Sequence, residues 1–236
     1  MTSITFIGDP HGWSDRLQQV VDQAPDRIVV LGDLIDRGPD SRGVIRICRE
    51  LEERGRLRCI LGNHELALLK AMGIPHFGYE PDDYLFELWS IGYDGHTVLS
   101  AYDATTMDEL RAAMGSDLDW LRSLPHVLWG EEDGRGWMAV HAALDPAQPA
   151  AVTLGRLADP QRSENWAGHP YHLYEKRRQR DLPFDLPANT CVASGHVPQD
   201  RPWIDQSRIL CDTTGGKSGR RLAGVVWPHQ DVLWSA

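Results

Sequence analysis

Apolar runs alternate with amphipathic stretches through the first seventy residues of the chain. Ile4–Gly8, Ile28–Gly32 and Cys59–Gly62 are short, β-branched or apolar, and closed by glycine, as expected of buried strands. Between them, Trp13–Ala24 and Ser41–Arg54 repeat Leu, Val and Ile at helical spacing with polar residues opposite. Asn63 opens a third helical pattern through Leu66, Leu68, Leu69 and Met72. The order is βαβαβ followed by a helix, which predicts an α/β fold with parallel strands and right-handed crossovers.

The character changes after Gly73. Asp82–Ser90, Thr106–Met114 and Leu118–Leu124 carry short helical patterns between Gly- and Pro-bearing loops. No flexible linker flanks them, so residues 73–135 are expected to be a helical cap inserted into one domain spanning 1–236. Strand patterns return at Trp137–His141, Thr190–Ser194, Arg208–Cys211, Leu222–Trp227 and Val232–Trp234. Asp159–Pro187 is polar and charged and is expected to be a surface loop with a helical turn or two.

Composition narrows the class. The chain has 236 residues, enough for one substantial core, and 42% hydrophobic with 25% charged residues suits a packed globule. A formal charge of −10 argues against broad binding to a nucleic-acid backbone, though a local cationic site for a small phosphorylated ligand stays open. Cys48, Cys59, Cys191 and Cys211 are far apart and lack metal-binding spacing, which reads as buried thiols in a reducing compartment. With no long apolar run and no cleavable leader pattern, a cytoplasmic location and no membrane partner are expected.

Chemistry concentrates where the strands end. The first is followed by Gly8-Asp9-Pro10-His11-Gly12, the second by Gly32-Asp33-Leu34-Ile35-Asp36-Arg37-Gly38, and the third by Gly62-Asn63-His64-Glu65. Two later strands end in His141-Ala142 and in Gly195-His196. Parallel α/β sheets bind ligands outside the carboxyl ends of their strands, so these motifs should converge on one rim. That rim would offer Asp9, His11, Asp33, Asn63, His141 and His196, a carboxylate, imidazole and amide set suited to manganese, iron or zinc. Singly, each residue has a plainer reading: Asp9 or Asn63 as a helix cap, Arg37 as a surface ion pair. Jointly, the ordered series leaves little room for it.

The series GDPHG, GDLIDRG, GNHE, HA and GH resembles the calcineurin-like metallophosphoesterase signature, and within it the phosphoprotein phosphatase branch. Bacterial and lambda-type serine/threonine phosphatases and symmetrical diadenosine tetraphosphate hydrolases are similar to it. Weaker echoes lie in Gly92–Tyr102 and in Asp212-Thr213-Thr214-Gly215-Gly216. The resemblance implies a four-layer α/β/β/α sandwich. It implies two divalent cations, manganese foremost, one held by Asp9, His11 and bridging Asp33, the other by Asp33, Asn63, His141 and His196. A water activated between the metals would attack phosphorus in line. His64 would be the general acid, Asp36 would favour its protonated form, and Arg37, with Asn63 beside it, would grip the phosphate.

The chain departs from the family in places. The usual second phosphate-gripping Arg falls in Leu173–Arg180, where a literal register gives Lys176 and a slip of one or two residues gives Arg177 or Arg178. A solvated basic turn is the alternative there. Gly195-His196-Val197-Pro198 lacks the second His of many phosphodiesterases. His76, His96, His126, His169, His172 and His229 lie outside the motifs and are expected to be structural or surface residues, His96 being near enough to the cap to approach substrate. Trp13 is placed to border the cleft. The function expected from these residues is phosphomonoester hydrolysis, with a phosphorylated protein as the leading substrate. Hydrolysis of a dinucleoside polyphosphate or small nucleotide is the alternative, and an inactive phosphate-binding scaffold is the reading from another class.

Overall fold

The computed structural model describes residues 3–159 and 162–236; the side chain of His76 lies outside what it describes. Strand β1 (Ile4–Ile7) leads through helix α1 (Ser14–Gln23) to β2 (Arg27–Val30), and α2 (Ser41–Glu53) leads on to β3 (Leu57–Cys59) and α3 (Asn63–Met72). Four helices follow, α4 (Asp83–Gly92), α5 (His96–Ala101), α6 (Met107–Met114) and α7 (Ser116–Ser123). Then come β4 (Val127–Glu132), β5 (Arg135–Val140), α8 (Ala150–Leu157) and the single turn α9 (Tyr171–Tyr174). The chain closes with β6 (Thr190–Ser194), β7 (Trp203–Ile204), β8 (Arg208–Leu210), β9 (Ala223–Trp227) and β10 (Asp231–Trp234).

The strands form two five-stranded sheets, ordered β10-β9-β1-β2-β3 and β4-β5-β6-β8-β7. β1, β2 and β3 are parallel, as the alternating pattern predicts, whereas β9 runs antiparallel to β1 and β10 antiparallel to β9. In the second sheet β5, β6 and β8 are parallel and β4 and β7 are antiparallel edges.

Strand periodicity builds the layers. Ile4 and Phe6 of β1 point into an apolar layer with Val29, Leu31, Trp137, Ala139, Cys191, Ala193 and Ile209, which seals one sheet against the other. Ile7, Ile28 and Val30 turn the opposite way, onto Leu17, Val20, Val44, Ile45 and Leu66 of α1–α3. On the far side, Val127, Met138, Val140 and Val192 are covered by Leu154 and Leu157 of α8. The result is the four-layer α/β/β/α sandwich. α2 shows the local logic: Asp40 caps its N-terminus by accepting from Gly43 N at 2.8 Å, and Val44, Ile45, Ile47, Cys48 and Leu51 form its buried stripe.

Three expectations change. The helical segment ends at Ser123, and Val127–Glu132 is not cap but β4, paired with β5 across Asp133 and Gly134. Both turn residues have positive φ (51° and 75°), the geometry of a two-residue hairpin loop. α5 and the short strand β7 had no clear sequence signal. The stretch 159–187 is more than a surface loop, because Asn165, Trp166, His172, Leu173 and Gln179 are buried in it. All four cysteines are free and buried. Among the described residues no helix is long and apolar enough to cross a membrane.

Candidate metal centre and cleft

The strand-end motifs converge. Backbone hydrogen bonds lash the first loop to the second, His11 N to Asp33 O and Gly12 N to Leu34 O, each at 2.9 Å. His11, Asp33, Asp36, Arg37 and His196 all adopt positive φ, between 42° and 70°. Such backbone is unfavourable for residues with a Cβ, and its clustering here marks loops held in place by the sheets beneath them. Two glycines are required by close approach. A Cβ on Gly195 would lie 1.8 Å from Asp9 Oδ1, and one on Gly62 2.3 Å from Asp33 Oδ1.

Asp33 stands at the middle. Its Oδ2 is 3.6 Å from His11 Nε2 and 3.8 Å from His64 Nε2, and its Oδ1 is 3.4 Å from His141 Nε2. Asp9 joins through Oδ2, which accepts from His196 N at 2.8 Å, and the His141 and His196 rings lie 5.0 Å apart. Two triads with donor atoms within 4.8 Å of one another result, His11–Asp33–His64 and Asp33–His141–His196, sharing Asp33. The first differs from the set expected from the sequence in bringing His64 where Asp9 was placed.

The donor set fits divalent cations on its hydrogen bonding. His11 Nδ1 faces Ile35 O at 3.1 Å and His141 Nδ1 faces Leu31 O at 2.7 Å; a carbonyl can only accept, so each ring keeps its proton there and turns a bare Nε2 inward. His141 Nε2 then meets Asn63 Oδ1 at 2.9 Å, two acceptors aimed at one point. Asp9 Oδ1 and His196 Nε2 are buried without any hydrogen-bond partner. Burial, with Asp212 and Asp33 adding repulsion, pushes the Asp9 carboxyl well above its usual range, and burial pushes Asp33 up to about 7. Inward lone pairs and mutually repelling carboxylates are what a pair of cations would satisfy.

His64 is oriented differently. Its Nδ1 lies 2.7 Å from Asp36 Oδ2, the oxygen that also accepts from Trp89 Nε1 at 3.2 Å. Asp36 was expected to favour the protonated ring; against it, burial first, then the neighbouring His11 and Arg37, push His64 well below the ordinary histidine range. Arg37 Nη1 contacts His11 Nε2 at 3.0 Å and donates to Gly215 O at 3.1 Å.

Over this centre lies a cleft of about 550 Å³ lined by Asp33, Arg37, Asn63, His64, Gly92, Tyr93, His169, Tyr174, Lys176 and His196. Tyr93 stands edge-on to His64 with ring centroids 4.8 Å apart, and its hydroxyl reaches that of Tyr174 at 3.5 Å. His169 packs on the Tyr174 ring at 4.6 Å. Of the three basic candidates Lys176 lines the cleft. Arg177 and Arg178 are exposed and do not, Arg178 being paired with Asp181 at 2.8 Å. His169 is therefore a wall residue rather than a bystander, whereas His96 and Trp13 stay outside the lining; Trp13 donates to Gly216 O and carries Arg16 over its ring.

Two buried carboxylates escaped the sequence reading. Glu65 accepts from the backbone N–H of Gly62, Asp33, Leu34 and Ile35 at 2.8–3.2 Å, clamping the second and third motifs together. Asp212 accepts from Thr214 N and Gly215 N and adds negative charge beside Asp9 and Asp33. Their signals were present in Asn-His-Glu and in the Asp-Thr-Thr-Gly-Gly echo.

Known proteins share both sequence and shape with this chain. A symmetrical bis(5′-nucleosyl)-tetraphosphatase of Paracidovorax citrulli is 31% identical over 160 residues, covering 66% of this chain and 49% of that protein. One from Coxiella burnetii is 32% identical over 146 residues, 60% and 42% of the respective chains. The chain thus spans about half the length of the curated relatives it matches or less. Among solved structures, a presumed diadenosine tetraphosphatase superposes with a TM-score of 0.61 at 22% identity, covering 99% of this chain and 92% of that one. A serine/threonine phosphatase from Saccharomyces cerevisiae superposes at 0.57 and 15% identity, covering 99% and 79%; at these identities the likeness concerns the fold. Residues 2–200 match the family described as calcineurin-like phosphoesterase, and with the fold and the converged motifs in agreement, the chain belongs to that family.

Proposed function

We propose that the chain is a two-metal phosphohydrolase whose substrate is a small phosphorylated molecule, a dinucleoside polyphosphate ahead of a phosphoprotein. The observation that carries the metal chemistry is the shared Asp33 between two imidazole-bearing triads, with inward-facing acceptors around it. Asp9, His11, Asp33, Asn63, His141 and His196 would hold the cations, manganese, iron or zinc by donor type. When bound, such a pair supplies positive charge for phosphoryl oxygens and acidity for a water.

The chain's own side chains do the rest. Asp36 fixes Nδ1 of His64, so the ring aims Nε2 at the cleft, from which a proton can pass to the leaving oxygen. That proton is weakly held in the buried ring; an arriving phosphate brings negative charge and raises the ring's affinity for it. Arg37 and Lys176 line the approach and would pair with phosphate oxygens. Asp212 would add to the negative charge that retains the cations.

The substrate reading favoured by sequence alone, a phosphoprotein, loses ground. The curated relatives are named for nucleosyl tetraphosphates, and Tyr93, Tyr174 and His169 supply aromatic walls that the sequence did not reveal. Aromatic faces with a cationic Lys176 suit a nucleobase and its phosphates. The four free buried thiols support a reducing compartment.

Turnover of diadenosine tetraphosphate, a phosphopeptide and para-nitrophenyl phosphate, each with manganese, tests the proposal. The dinucleotide should show the highest kcat/KM, and chelation should abolish all three rates. His64→Asn should lower kcat by about 10²–10⁴-fold with metal content unchanged. A phosphopeptide rate well above the dinucleotide rate would overturn the substrate assignment, and turnover indifferent to chelation would overturn the metal one.

A further inference from the structure

Helix α4 has two apolar faces. One turns inward: Trp89 is buried and reaches Asp36, Phe86 packs against it with ring centroids 5.3 Å apart, and Tyr93 just beyond the helix end lines the cleft. A surface helix anchored on one face ordinarily carries polar residues on the other. Here the outward positions are Tyr84, Leu85, Leu88 and Ile91, exposed by 67%, 36%, 48% and 72%. Tyr84, Leu88 and Ile91 follow one another at spacings of four and three, so they form a single stripe along the outer side. A contiguous apolar surface of this kind marks a contact site.

Charge decides what fits it. The sequence holds no Lys or Arg between Lys70 and Arg111; Asp83 and Glu87, four residues apart, run along one flank of the stripe, and Glu80 shortly precedes the helix. Among the described residues no ion pair engages these three carboxylates. A second copy would set one acidic frame against another, and an anionic membrane would be repelled in the same way. We propose that the outer face of α4 is a docking surface for a basic amphipathic helix of another protein, its apolar side chains on Tyr84, Leu88 and Ile91 and its Lys or Arg residues on the flanking carboxylates. The occupant sits on the side of α4 away from Trp89 and Asp36, and so reaches the cleft only through the helix that carries its wall.

The test uses the full chain and a helical peptide of about 18 residues built from Leu and Lys, with a Leu/Glu peptide of the same apolar face as control. By fluorescence anisotropy at about 0.15 M salt, the Leu/Lys peptide should bind and the Leu/Glu peptide should not. Joint replacement Leu88→Ser and Ile91→Ser should weaken binding about tenfold, with para-nitrophenyl phosphate turnover and melting temperature unchanged. Glu87→Gln with Asp83→Asn should weaken it and flatten its salt dependence, while Val152→Ser, at an exposed apolar position on α8, should leave it intact. No Leu/Lys binding, or equal binding by the serine variant, overturns the proposal. So does a concentration-dependent dimer abolished by that variant, which assigns the face to a second copy, or variant-sensitive cosedimentation with phosphatidylcholine vesicles, which assigns it to lipid.

Discussion

Glu65 is not itself placed among the candidate cation ligands, yet four backbone N–H groups, that of Asp33 among them, end on its carboxylate. Glu65→Gln keeps the shape but turns two of those contacts into donor facing donor. Leaving buried donors unpaired should cost about 3 kcal/mol, seen as a lower denaturant midpoint, and should reduce metal retained on purification. A midpoint unchanged from the parent would show that the clamp adds nothing. At this scale the sequence was most legible where a strand ended in polar residues no core would choose, as at Asp9, Asp33 and His141. It named the motif but not the role where position alone confers that role. Glu65 reads as an ordinary first-turn acid of α3, and His169 as one more surface imidazole, until the segment bearing it folds back on Tyr174.

Among the elements, sequence pattern located β1, β2, α1, α2 and α3 to within a residue or two, because the strands are continuous apolar runs buried on both faces and the helices each carry one apolar stripe. It misassigned β4, whose exposed Trp129 and half-buried Gly130 break the alternation, although Asp133-Gly134 spelled a hairpin turn. A helical turn was expected within 159–187 and α9 supplies one, but its place in the cleft was not readable, because four helical residues hold no period and Tyr174 gains meaning only from Tyr93 across the cleft. These two segments, one from α4 and one from α9, meet as a wall. Tyr93→Ala should lower kcat/KM for diadenosine tetraphosphate about tenfold while sparing para-nitrophenyl phosphate, whose small leaving group needs little of that wall. Equal losses on both substrates would make Tyr93 a support for His64 instead of a substrate contact.

For the whole molecule, acid stability should depend on a buried pair that does not line the cleft. His126 Nδ1 and His172 Nε2 lie 2.8 Å apart in the interior, with Trp166 against the first ring and Arg156 the nearby cation. Burial, with Arg156 adding, pushes His126 from 6.5 down to about 4. The unfolded chain therefore takes up this proton before the folded one does. The contribution to stability is complete above pH 6.5 and is lost as pH falls toward 4, about 3 kcal/mol for this group. Melting temperatures across that window should fall more steeply for the parent than for His126→Gln, and parallel curves would refute the assignment. The two sheets carry a separate consequence. Asp33 rides on one of them and His141 and His196 on the other, like opposed jaws of a caliper. Phe6 and Trp137, whose rings meet 5.9 Å apart between the sheets, set the gauge. Repacking there, at two side chains outside the cleft lining, would alter which ion the jaws retain before it altered the fold.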